Sequence, residues 1–152
     1  MTAKSSDLQG YETRQRTMPR YNRVIIIDDS EIDLEVENII MKGINLAKTI
    51  DLRLNGEEVI QELSNIKRLD EVPELIFLDL NMPVKDGREV LSELKNDELL
   101  KKIPIIIYTT SSNKSEKEET LQQGAVSWIT KPHSVTGISE VIAEILEKFN
   151  KL

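Results

Sequence analysis

The stretch Glu74-Leu-Ile-Phe-Leu-Asp79-Leu-Asn-Met-Pro-Val-Lys-Asp-Gly87 decides the fold. A short apolar run ends in a carboxylate and passes at once into a turn marked by Pro83 and Gly87, the pattern of a strand buried on both faces followed by a loop. An acid at the carboxyl end of a buried parallel strand sits in the crevice where open α/β sheets place their chemistry. The pattern recurs on either side. Val24-Ile-Ile-Ile-Asp28-Asp29 ends in two acids, Ile103-Pro-Ile-Ile-Ile-Tyr-Thr109 in a hydroxyl, and Val126-Ser-Trp-Ile-Thr-Lys131 in an amine. Three carboxylates, a hydroxyl and an ammonium gathered on one rim of one sheet fit a site for a hard divalent cation and a phosphoryl group.

Helical patterns separate these runs. Ser30 can cap a helix whose Ile32, Val36, Ile39 and Ile40 follow i, i+4, i+7, i+8 spacing, with Gly43 at its end. Thr49 to Leu54 alternates like a half-buried strand. Asn55 and Glu58 open a helix burying Val59, Ile60, Leu63 and Ile66, and the polar stretch from Ser64 to Glu71 reads as a surface loop. Asp86 and Gly87 read as a cap and a flexible turn residue before a helix with Val90, Leu91 and Leu94 inward. Ser115 and Glu118 cap a fourth helix ending at Gly124, and Ile138, Val141, Ile142, Ile145, Leu146 and Phe149 stripe a fifth. Five strands alternating with five helices predict an α/β fold, a doubly wound five-stranded parallel sheet in the flavodoxin-like order 2-1-3-4-5. Its switch point lies between the first and third strands, which end in Asp28-Asp29 and Asp79.

Composition narrows the function classes. At 152 residues, 39% apolar and 31% charged, one globular domain is the default. No apolar run reaches the roughly 18 residues of a membrane span and no secretory signal is evident, so a cytoplasmic protein without membrane contact is expected. With no cysteine and a single histidine, His133, thiolate chemistry and zinc sites are excluded, and any metal must take oxygen ligands. His133 itself reads as an exposed loop residue. A net charge of −7 argues against nucleic-acid binding. That charge is uneven: the first 23 residues carry five basic side chains against Asp7 and Glu12, a local +3 that leaves −10 on the remainder. Residues 1–21 are expected to form a flexible N-terminal tail.

Asp28-Asp29, Asp79 in Leu-Asp-Leu-Asn-Met-Pro followed by Asp-Gly, Thr109, and Lys131-Pro132 stand in an order and spacing that resemble the receiver domains of two-component response regulators. The resemblance runs from about Arg23 to Leu152, so residues 22–152 are expected to form one receiver domain. Within the family, the stretches around Asp79 and Thr109 look most like the single-domain regulators associated with cyanobacterial and bacterial phytochromes.

The resemblance implies a stand-alone phosphorelay protein rather than an enzyme. Asp79 would accept a phosphoryl group from a phosphohistidine, with Thr109 and Lys131 holding the oxygens of that group. Mg²⁺ would be held by Asp28, Asp29 and Asp79 with the Asn81 backbone carbonyl, relieving the repulsion among three carboxylates. Thr109 and Trp128 would form the switch, with the Trp128 indole facing water at rest, and the fourth helix, fifth strand and fifth helix the responsive face. The partners implied are a sensor histidine kinase or phosphotransfer protein and a downstream protein target; a homodimer is compatible with the sequence. A cis Lys131–Pro132 peptide is also implied. Departures from the family pattern are Thr110, whose branched side chain would narrow access to Asp79, and the size of Trp128. Two other readings are a pseudo-receiver that only binds partners and a phosphatase-like enzyme using an aspartyl nucleophile. The second wants an acid two residues after the nucleophile, where Asn81 stands and cannot transfer a proton.

Overall fold

The computed structural model describes residues 18–132 and 137–151. Its strands are β1 (Tyr21–Ile27), β2 (Ala47–Arg53), β3 (Leu75–Leu78), β4 (Ile105–Thr109) and β5 (Ser127–Thr130). Its α-helices are α1 (Glu31–Gly43), α2 (Gly56–Ser64), α3 (Gly87–Lys95), α4 (Lys114–Gln122) and α5 (Ile138–Lys151). The strands are all parallel and lie in the order β2-β1-β3-β4-β5, the expected doubly wound arrangement. Register is fixed at the centre by Ile27 opposite Leu78 and Leu78 opposite Ile107, so the strand ends stand level. The expected surface loop before β3 contains a single 3-10 turn, Leu69–Glu71.

The inner strands are apolar on both faces because each face is covered by helices. On one side Ile25, Ile27, Ile76, Leu78, Ile105 and Ile107 meet Val59, Leu63, Val90, Leu91 and Leu94. On the other, Val24, Ile26, Leu75, Phe77, Ile106 and Tyr108 meet Leu34, Ile40, Met41, Val141 and Ile145. Strand β2 lies at the edge and is only half-buried, as its alternating sequence implies. Of the stripe expected on α5, Val141 and Ile145 are buried, while the side chains of Ile138, Ile142, Leu146 and Phe149 lie outside the described residues, as do His133 and residues 1–17. No described helix is long and apolar enough to cross a membrane.

Helix α1 corrects the sequence reading. Ser30 caps it as expected, its hydroxyl accepting from the Asp33 N–H at 3.2 Å. The buried positions, however, are Leu34, Glu37, Ile40 and Met41, while Ile32 and Ile39 are 76% and 70% exposed and Val36 is exposed with them. Two apolar stripes of equal period run along this segment, and the period does not say which turns inward. Leu34, Ile40 and Met41 pack into the core on that face of the sheet, and Glu37, on the same stripe, is carried in with them. The cap of α4 is also shifted: Asn113, not Ser115, accepts from the Glu116 N–H at 3.1 Å.

Candidate functional site

Backbone bonds at the strand ends hold the expected residues in one row. The Asp28 N–H donates to the Arg53 carbonyl at 3.0 Å, the Asp79 N–H to the Ile27 carbonyl at 3.0 Å, and the Lys131 N–H to the Thr109 carbonyl at 2.7 Å. Each bond continues a ladder past the last strand residue, so these side chains are aimed by the sheet itself.

Asp28, Asp29 and Asp79 each offer a carboxylate oxygen, and the three oxygens lie within 4.8 Å of one another. Asp28 and Asp79 are buried and Asp29 is exposed, which leaves the group open on one side. An all-oxygen, all-anionic donor set of this size suits a hard divalent cation such as Mg²⁺. The Asn81 N–H donates to Asp79 Oδ1 at 3.3 Å, which places Asn81 against the acid.

Lys131 crosses from the fifth strand into this group. Its ammonium, 7% exposed, donates to Asp28 Oδ2, to Asp33 Oδ2 at 3.0 Å and to Asp79 Oδ2 at 3.3 Å, with Glu37 Oε1 at 3.8 Å. Burial alone would lower the Lys131 pKa, but the hydrogen bond to Asp28 and the charges of Asp28 and Asp79 outweigh it, and the amine ends above its ordinary value. Burial raises Asp28 against the opposing pull of Lys131. For Glu37, burial and then the Asp28 charge push the carboxyl up to about 10.

The expected cis bond after Lys131 is not found. No described peptide bond is cis, so Lys131–Pro132 is trans, the form an X-Pro bond prefers by about 0.5–1 kcal/mol. Strand register already carries the Lys131 amine to the acids, and no sharp turn is needed.

Residues 24–143 match the family model of the response regulator receiver domain. The chain belongs to this family. A protein-glutamate methylesterase/protein-glutamine glutaminase of Methanococcoides burtonii is 29% identical over 132 residues, which is 86% of this chain and 35% of that protein. The chain thus spans about a third of the length of such relatives. Among solved structures, the Mn²⁺-bound form of the response regulator Rcp1 is 27% identical with a TM-score of 0.71, covering 82% of this chain and 91% of that one. The phosphorylated cyanobacterial phytochrome response regulator RcpA is likewise 27% identical, with a TM-score of 0.72, covering 84% and 92%. Relatives associated with phytochromes therefore stand among the structural neighbours of this receiver, a signalling domain of two-component systems.

The receiver's loop after β3 is held by close backbone packing. Asp86 caps α3, accepting from the Arg88 N–H at 2.6 Å. Gly87 is required for space rather than for a left-handed conformation: a Cβ there would meet the Asp79 carbonyl oxygen and lie 2.6 Å from Leu80 Cα. The glycine lets the start of α3 lie directly against the backbone of the phosphoacceptor candidate.

The receiver's two switch candidates are both buried. Thr109 is fully buried, its Oγ1 accepting from the Ser111 N–H at 3.5 Å. Trp128 is only 5% exposed and its indole N–H donates to Thr130 Oγ1 at 3.3 Å, so the expectation of a water-facing indole at rest is overturned. Trp128 stands opposite Ile107 in the ladder, on the face covered by α2 and α3, and the wide indole fills that side of β5. Thr110 is exposed.

Asp33 and Glu37 are absent from the sequence reading. A signal existed: Asp33 and Glu37 stand four residues apart in the helix that follows Asp28-Asp29, which aligns them on one helical face.

Proposed function

We propose that the chain is an aspartyl phosphoacceptor in a histidine-to-aspartate relay. The observation that carries this reading is the Lys131 ammonium 3.3 Å from Asp79 within a group of three strand-end carboxylates. Asp28, Asp29 and Asp79, with the Asn81 carbonyl, would hold a divalent cation, which would supply the charge neutralisation that lets one carboxylate among three act as a nucleophile. An Asp79 oxygen bonds to phosphorus as the donor imidazole leaves with the electrons of the broken P–N bond, giving an acyl phosphate. Lys131 meets the negative charge of the transferred group, and the Thr109 hydroxyl donates to a second oxygen. This holds the group and biases the strand-end loops toward a second arrangement.

The donor is a sensor histidine kinase or a phosphotransfer protein. The exposed Ile32, Val36 and Ile39 of α1, beside the acids, support a protein donor that covers apolar surface as it docks. The output is read by a protein target on the face of α4, β5 and α5. Helix α4 buries only Thr120 among its nine residues, so it is loosely enough held to shift. The Mn²⁺ in Rcp1 and the phosphorylated state of RcpA belong to those proteins, and they support the same chemistry here.

The test is labelling with acetyl phosphate or a cognate kinase in the presence of Mg²⁺. Wild type should take up hydroxylamine-labile phosphate, and Asp79→Asn should take up none, because an amide is no nucleophile for this step. Equal labelling of the variant would refute the assignment.

A further inference from the structure

Lys131 has more anionic partners than its task at Asp79 requires. An ammonium carries three N–H donors, and three carboxylates lie within hydrogen-bond distance of this one: Asp28, Asp33 at 3.0 Å and Asp79 at 3.3 Å. Asp28 and Asp79 belong to the candidate cation group, and Asp33 does not. When a cation sits there, the first two divide their charge between it and Lys131. Asp33 remains committed to the ammonium alone.

The local structure explains why Asp33 is free for this. It occupies the third position of α1, where an acidic side chain ordinarily turns back to the N–H of the capping residue. That N–H, on Ser30, is already taken by Asp28 Oδ1 at 3.0 Å. The Asp33 backbone is meanwhile fixed by its own bond to Ser30 Oγ. A pinned backbone and an unclaimed carboxylate leave Lys131 as the partner of Asp33, and the two residues stand 98 apart in the chain. A first-turn acid that only favours the helix dipole would need no such partner.

We infer that Asp33 is a positioning residue for Lys131: it takes one ammonium N–H and so directs the other two at Asp28 and at the oxygens carried by Asp79. This rests on the phosphoacceptor reading. As the phosphoryl group arrives, its oxygen replaces Asp79 Oδ2 as the third partner, and the amine keeps its place.

Beryllofluoride, which adds to the acceptor carboxylate as a phosphoryl mimic, probes the arrangement at saturating Mg²⁺, with affinity measured by calorimetry on the full chain. Asp33→Ala should bind about fivefold more weakly, the size expected of a charge-assisted bond to a partly exposed acid. Asp33→Asn, which keeps an acceptor oxygen without the charge, should fall between, and its near-identical shape keeps the test valid should the alanine variant not fold. In a Lys131→Met background, Asp33→Ala should change nothing further. An equal loss with and without Lys131, or no loss in either Asp33 variant, would overturn the inference while leaving the phosphoacceptor reading intact. Failure of wild type to bind beryllofluoride at all would overturn both.

Discussion

Replacing Glu37 by Gln should stabilise the protein by an amount that grows with pH. Glu37 is 2% exposed on α1, its Oε2 has no hydrogen-bond partner, and Oε1 stops 3.8 Å from the Lys131 ammonium. Burial first, and the Asp28 charge second, raise its pKa from the ordinary 4.5 to about 10. The folded protein therefore binds this proton more tightly than the unfolded chain does. The contribution of the group is fully present below pH 4.5 and is lost progressively as pH rises toward 10. One proton of difference corresponds to about 1.4 kcal/mol per pH unit, so about 3 kcal/mol drains away between pH 5 and pH 7. Gln has nearly the same shape, offers an N–H to Asp28, and has no proton to hold. Its stability relative to wild type should climb by that amount over the interval, about 6–12 °C in Tm for a chain of this size. Urea denaturation of both proteins at pH 5, 6 and 7 in EDTA measures the slope, whatever constant offset the amide introduces. A difference that stays flat from pH 5 to 7 would show that Glu37 is already ionised in the folded protein, whether free or paired with Lys131, and would refute the reasoning.

Three further outcomes follow from the geometry. Asp29→Ala, which removes the exposed member of the acid group, should weaken Mg²⁺ binding by about tenfold or more in calorimetry, and unchanged affinity would refute the proposed ligand set. Gly87→Ala should destabilise the fold by about 1–3 kcal/mol in thermal melts, because the added methyl meets backbone that cannot move aside; an unchanged melt would mean that the loop and α3 part easily. Trp128 should emit in the blue and resist iodide quenching before any phosphorylation, since it is already buried. A red-shifted, readily quenched indole in the resting protein would contradict the packing on β5.

The parallel sheet and the candidate acids were legible because both depend on local pattern. Ile25 to Ile27, Leu75 to Leu78 and Ile105 to Tyr108 are apolar at every position, which only a sheet covered on both faces accommodates, and the residue after each run is placed by the strand before it. Val90, Leu91 and Leu94 were readable as the buried face of α3 for the same reason: one stripe and no competitor.

Where two readings had the same period, sequence could not choose. Ile32-Val36-Ile39 and Leu34-Met41 both recur at helical spacing, and the choice between them was made by packing against sheet residues brought in from distant segments. Lys131 and Asp28 are 103 residues apart, and only the tertiary fold brings the Lys131 ammonium to Asp33 and near Glu37. The burial of Trp128 was decided in the same way, by the space between β5 and the helices across from it. Sequence by itself determined which candidate residues stand at which strand ends, because pattern and chain order are local. Tertiary structure alone decided which side chains share the Lys131 ammonium, because burial and Coulomb energy act between neighbours in space wherever they lie along the chain.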